Sequence, residues 1–201
     1  IKITFDEFFT LNNPGENVLI SPPLKYEPEY KIKEKSLIIK FQDTLKPNTT
    51  YNMIFSNCIQ DYHENNKLGY LHYGFSTGET MDSFMLKGVL INAEKLTPSS
   101  DFFVFLYKKD IDSLPLTSLP DYVTKSMSDG SFTFSNITEG QYRIFALKDI
   151  NANLIYDLPN EEIAFCERLI TAVPEPKIDT TQAVADSTKA KTKNRGRGQP
   201  A

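Results

Sequence analysis

The chain has 201 residues, 40% of them hydrophobic and 12% aromatic, which excludes a disordered protein and fits one large or two small domains. Its formal charge of -4 conceals a split: residues 173–201 hold six basic and three acidic side chains, and taking these from 22 and 26 leaves 16 against 23, a net of -7 elsewhere. An acidic body excludes nucleic acid as the main partner, and no apolar run approaches the ~18 residues of a membrane-spanning helix.

The chain opens on "IKITFDEF" without a Met, which reads as a fragment or processed chain with any export signal lying upstream. Ile1, Ile3 and Phe5 alternate with Lys2 and Thr4, the period of a strand with one buried face. The overlapping "FDEFFTL" is the nearest approach to a helical pattern and is long enough for a single turn. "NNPGEN" and "SPPLKYEP" read as turn material, and Pro22, Pro23, Pro28 and Pro47, unable to donate to a sheet ladder, belong between strands or on edges. Three further alternating sets predict strands: Leu37, Ile39 and Phe41; Tyr51, Met53 and Phe55; Leu71, Tyr73 and Phe75. "LKPNTT" and "DYHENNKLG" supply the turns between them.

A second series follows a Gly-containing junction near Gly78: "FMLKGVLINA", "FFVFLYKKD", "YVTKSM", "SFTFSNI", "QYRIFALKD" and "EIAFCERLI". The nearly continuous apolar run of the second member suits a buried central strand. "SDG" and "TEG" mark turns. Many short strands at regular spacing predict an all-β chain of two β-sandwiches in series, over residues 1–80 and 81–172. From Val173 aromatics vanish and Pro, Thr, Lys, Ala and Gly take over, so 173–201 is expected to be a disordered basic tail. Cys58 and Cys166 fall in different sandwiches and are expected to be separate thiols.

Catalytic patterns are absent from the sequence. His63 and His72 sit in a turn and on a strand with no Ser or Cys motif beside them, and no Walker, Gly-x-Ser-x-Gly or His-Glu-x-x-His run occurs. The informative stretch is "LKDINANLIYDLPNEEIAF", where Asp149, Asn151, Asn153 and Asp157 occupy alternating positions and Glu161 follows. With Asp149 as position one, Ile155 at position seven offers a backbone carbonyl, which resembles the start of an EF-hand-type loop. Leu154 stands where such a loop turns on glycine, position twelve is Asn160, and strands rather than helices flank the segment. Two readings stand: a calcium loop using Asp149, Asn151, Asn153, Asp157 and Glu161, or an Asx-rich turn whose side chains bond its own backbone amides. A fainter version of the same pattern is Asp61, Glu64, Asn65 and Asn66. Asn48-Thr49-Thr50 and Asn136-Ile137-Thr138 fit the glycosylation sequon but read as turn residues.

"LKPNTTYNMIF", "IQDYHENN" and "FSTG" resemble the bacterial Ig-like domain of S-layer and cell-surface proteins, on Leu45, Pro47, Thr49, Tyr51, Asp61, Asn65, Asn66, Phe75 and Thr77. Glu64-Asn65-Asn66 departs from that family's usual Gly-Asn turn. The opening "ITFDEFFTL", "ISPPLKYEPEYK" and "DTLKPNTTYNMIFSN" is similar to Ig-like lipoproteins of Bacteroidetes, in which a second sandwich follows. Residues 88–149 are similar to transthyretin-like, carboxypeptidase-regulatory-type domains, on Gly88, Asp129-Gly130-x-Phe132 and Gly140-x-Tyr142. These resemblances imply a non-enzymatic structural or interaction module of an exported cell-envelope lipoprotein, periplasmic or surface-exposed, acting as spacer or scaffold. They imply other envelope proteins or surface glycans as partners, and a membrane tie only through a lipid anchor outside this chain. The alternative is a carbohydrate- or protein-binding surface module, with Tyr26, Tyr30, Tyr62 and Tyr70 as a platform, or an accessory region of a larger envelope protein.

Overall fold

The computed structural model describes residues 1–176, so most of the expected basic tail lies outside the described residues. The first half carries β1 (Lys2–Thr4), β2 (Phe9–Leu11), α1 (Pro14–Asn17), β3 (Val18–Ser21), β4 (Glu29–Lys33), β5 (Ser36–Lys40), β6 (Thr50–Asp61) and β7 (Lys67–Ser76). One sheet runs β1-β5-β4. In the other, β7 follows one edge of β6, while β2 and β3 lie end to end along the opposite edge. The alternation foreseen for these strands packs the sandwich: Leu37 and Ile39 of β5 meet Tyr51, Met53 and Phe55 of β6 in one buried cluster. "FDEFFTL" is not a helical turn; Phe9–Leu11 pairs with Ile59–Asp61, and the helical turn comes later, opened by Pro14.

β6 departs from simple alternation. Thr50 and Asn52, on the face expected to meet water, are 1% and 4% exposed, because the second half packs against them.

That half carries β8 (Phe84–Val89), β9 (Phe103–Tyr107), α2 (Leu114–Thr117), β10 (Tyr122–Lys125), β11 (Ser131–Ile137), β12 (Gln141–Lys148), β13 (Glu162–Phe165), β14 (Ile170–Thr171) and β15 (Val173–Pro174). Sheets β10-β9-β12-β13 and β11-β8-β15 face one another, and β14 also pairs with β12. Between the sheets lie Leu86, Val104, Leu106, Phe132, Phe134, Tyr142 and Ala146. The run "EIAFCERLI" is two short strands rather than one, both on β12. Val173 and Pro174, expected to begin the tail, instead pair with Met85 and Phe84 and extend the β8 sheet.

The central strand β9 is apolar on both faces, and both are covered. Val104 and Leu106 enter the inter-sheet core, whereas Phe105 and Tyr107 join Val123, Phe145 and Leu147 in a third cluster on the outer face. Cys58 is buried in the first core and Cys166 is half-buried in the second sandwich, and both are free thiols as expected.

Gly88 has a steric reason to be glycine. Phe132 is its cross-strand partner, and a Cβ added at Gly88 would lie 2.4 Å from Phe132 Cζ. Gly88→Ala is therefore expected to destabilise the chain by about 1–3 kcal/mol in urea unfolding, with part of the loss recovered when Phe132→Leu is combined with it.

Candidate metal centre and the joint it abuts

β12 and β13 pair from Lys148↔Glu162 backwards, so residues 149–161 form the loop of one hairpin, and all five expected donor residues fall within it. Asp149 Oδ2 accepts the Leu154 amide at 2.7 Å, Asn151 Oδ1 that of Asn153 at 3.3 Å, and Asn153 Oδ1 that of Ile155 at 2.8 Å. These are the bonds an Asx-rich turn makes. The carboxamide Nδ2 groups of Asn151 and Asn153 both donate to Asp157, at 3.1 and 2.8 Å. Glu161 accepts the amides of Ile150, Asp157 and Leu158 at 3.1–3.2 Å and is only 5% exposed.

The turn is made without glycine. Leu154 has φ 59° and Ala152 φ 57°, the left-handed region that costs an L-residue about 1–2 kcal/mol. Leu154 is half-buried against the third core, and that apolar contact offsets part of the cost of the left-handed backbone.

Electrostatically the loop is one-sided. Among the described residues no Lys, Arg or His pairs with Asp149, Asp157 or Glu161. Asp149 Oδ1 is shielded from solvent and has no hydrogen-bond partner. Every donor available to an ion here is oxygen, from carboxylates or carboxamides, the set suited to calcium or magnesium rather than zinc. Among the described residues no three His, Cys, Asp or Glu side chains converge tightly enough to form a metal cluster by themselves.

The same loop is a covering layer. Leu154 and Tyr156, with Leu114 from α2, lie over the outer face of β9 and β12, and the Tyr156 amide bonds the Pro115 carbonyl at 2.8 Å. Leu19 of β3, from the first sandwich, packs against this cluster too. A cleft of about 620 Å³ runs alongside, with Leu19, Tyr70, Phe103 and Leu154 in its walls.

Beside it the two sandwiches are hydrogen-bonded together. Asn52 Oδ1 accepts from Asn136 Nδ2 at 2.8 Å and His72 Nε2 at 2.9 Å, while Asn52 Nδ2 donates to the Ser135 carbonyl at 3.0 Å. Ser21 Oγ accepts the Val123 amide at 3.0 Å, and Thr50 Oγ1 accepts that of Asp82 at 2.9 Å. Asn136 reaches across because β11 is irregular between Phe134 and Ile137, with Asn136 at φ 51°. Burial holds the His72 imidazole below its ordinary value of 6.5, partly opposed by the Glu175 carboxylate. Sequence reasoning missed this joint; a polar residue inside the apolar run "YNMIF" was its one signal.

The remaining candidates resolve as local structure. Asp61 Oδ1 caps the amides of His63 and Glu64, Asn65 turns at φ 60°, and Asn66 bonds Glu64. The Glu7 carboxyl is raised by its hydrogen bond to Asp61. Burial pushes the Cys58 thiol up, away from nucleophilic use. Asn136 is committed to the joint, and Asn48 takes a turn conformation at φ 48°. Of the four tyrosines, Tyr30 packs against the first core, while Tyr26, Tyr62 and Tyr70 stand exposed, Tyr70 at the wall of the cleft.

Residues 1–77 match the bacterial Ig-like domain family. No curated protein matches the chain. Among solved structures, the major pilin subunit BcpA of Bacillus cereus aligns at 11% identity and a TM-score of 0.27, over 88% of this chain and 55% of the pilin.

Because both Glu161 oxygens accept backbone amides, Glu161→Gln turns an NH2 group onto a buried N–H. It is expected to cost about 1–3 kcal/mol in urea unfolding, against no more than about 0.5 kcal/mol for the exposed neighbour Glu162→Gln.

Proposed function

We propose that this chain is a non-enzymatic structural module of a surface or cell-envelope protein, a stiff two-sandwich unit that serves as spacer or scaffold. The observation that carries the reading is the joint. Asn52 spends both ends of its buried carboxamide on the second sandwich and on His72, so the halves are fixed in register rather than loosely strung. The short connection is pinned as well: Thr77 and Thr49 exchange bonds, Gly78 donates to Ser76 Oγ, and the Glu175 amide bonds the Ser83 carbonyl. A bonded joint suits a part whose task is to hold distance and orientation.

The Ig-like match over residues 1–77 supports a surface or envelope setting. Attachment through a lipid anchor outside this chain, and contact with other envelope proteins or surface glycans, complete the proposed role.

Small-angle scattering tests the mechanical core of this reading. The wild-type chain is expected to fit a single arrangement of the two sandwiches, and Asn52→Ala to broaden it while costing about 1–3 kcal/mol, since it strands the Asn136 and His72 donors. Free tumbling of the halves in the wild type would sink the proposal.

The joint also carries a pH dependence. The folded state holds the His72 imidazole below 6.5, so protonation favours the unfolded chain. Stability is expected to be fully present above 6.5 and to fall as the pH drops from there toward the lowered folded value. His72→Gln, which keeps a side-chain N–H for Asn52, is expected to flatten that part of the melting-temperature profile.

A further inference from the structure

We propose that the loop from Asp149 to Glu161 binds a calcium ion, and that the ion fastens this covering layer onto β9 and β12 and against Leu19 of the first sandwich. The observation beyond acidic composition is Asp149 Oδ1, a carboxylate oxygen out of solvent with no donor, while Oδ2 of the same group is drawn into the loop by the Leu154 amide. An unmatched buried carboxylate oxygen is among the costliest groups a fold can leave, and a cation satisfies it directly. Glu161 adds negative charge to the same loop: it is buried, its two oxygens are held by the Ile150, Asp157 and Leu158 amides, and among the described residues no cationic side chain pairs with it.

The chemistry of the donors selects the ion. Asp149, Asn151, Asn153, Asp157 and Glu161 offer oxygen alone, and the irregular loop suits calcium, which takes six to eight oxygens in flexible geometry. Magnesium demands a near-ideal octahedron and dehydrates reluctantly. In the structure, Asp157 is braced by the Nδ2 groups of Asn151 and Asn153, two partial positive charges doing what a cation would do better. On binding, the carboxamides turn their oxygens inward, the carboxylates converge on the ion, and the loop draws in. Leu154 and Tyr156 sit between the ligating residues, so their seating on the third core tightens with it.

The experiment is calorimetric titration of calcium chloride into the full chain after dialysis against chelator, with magnesium chloride as control. Backbone amide exchange is then compared with and without calcium. Expected are a one-to-one calcium heat, a raised melting temperature, and slower exchange at Leu154, Tyr156, Phe105 and Leu19. Asp149→Asn, folded by circular dichroism, is expected to lose the heat. Asn153→Asp is expected to melt lower without calcium, through repulsion from Asp157, and to bind calcium more tightly. No heat with folded wild type overturns the site, and heat with unchanged exchange at Leu154 and Leu19 overturns the fastening. A chain that scatters as one rigid body yet takes no calcium overturns this inference alone and leaves the spacer reading standing.

Discussion

The molecule depends on one constraint: the sheet containing β9 is apolar on both faces. A two-layer sandwich buries one face of each sheet and leaves the other to water. Here Phe105, Tyr107, Phe145 and Leu147 occupy the outer face and are 5% exposed or less. Something other than the second sheet must cover them. The chain assembles that cover from three distant places, the helical turn at Leu114, the hairpin loop at Leu154 and Tyr156, and Leu19 of the first sandwich. The loop and the position of the first sandwich thus answer one demand made by four aromatic and aliphatic side chains. At about 25 cal/mol per Å² of apolar area removed from water, burying such side chains outweighs the left-handed backbone at Leu154.

Apolar cover alone would let the sandwiches slide, since hydrophobic contact is non-directional. The polar joint removes that freedom. Asn52 is 4% exposed, and its carboxamide has two donor hydrogens and an acceptor oxygen to place. One donor and both acceptor positions are used by Ser135, Asn136 and His72, an arrangement that fits one relative placement of β6, β7 and β11. The irregularity in β11 supplies the reach: regular pairing would keep Asn136 in the ladder, whereas its left-handed conformation turns the side chain across the joint. Gly74 keeps the space clear, since a Cβ there would sit 3.0 Å from Asn136 Nδ2.

Much of the fold was legible because period-two alternation directly reports a strand with one wet face. Leu37, Ile39, Tyr51, Met53 and Phe55 went inside as that rule requires. The continuous run "FFVFLY" correctly announced a strand buried on both sides, although nothing local named what covers it. The failures share a cause. Phe9–Leu11 is a strand because β6 extends far enough to pair with it, a partner some fifty residues away that no local pattern encodes. Asn52 looked solvent-facing because alternation assigns faces relative to one sheet and is blind to a second domain arriving on the other side. Val173 and Pro174 looked like tail by composition, yet β8 offered an open edge and the backbone took it. The 149–161 loop stood out because its signal is local, five oxygen-bearing side chains within one hairpin, and the side-chain-to-amide bonds it makes follow from that spacing.

That loop shows how a covering layer and a cluster of oxygen acceptors come to share one segment. A loop that must lay Leu154 and Tyr156 on an apolar face has to direct its remaining side chains away from that face. Its backbone amides, without a sheet partner, then need acceptors, and Asp149, Asn151, Asn153 and Glu161 provide them at short range. Acceptors gathered for that reason accumulate negative charge, and the loop brings no cation to offset it. The amides satisfy most of the oxygens, but Asp149 Oδ1 is shielded from solvent and has no hydrogen-bond partner. The segment that solves the burial problem of β9 thereby concentrates hard oxygen donors in the same layer that meets Leu19 of the first sandwich.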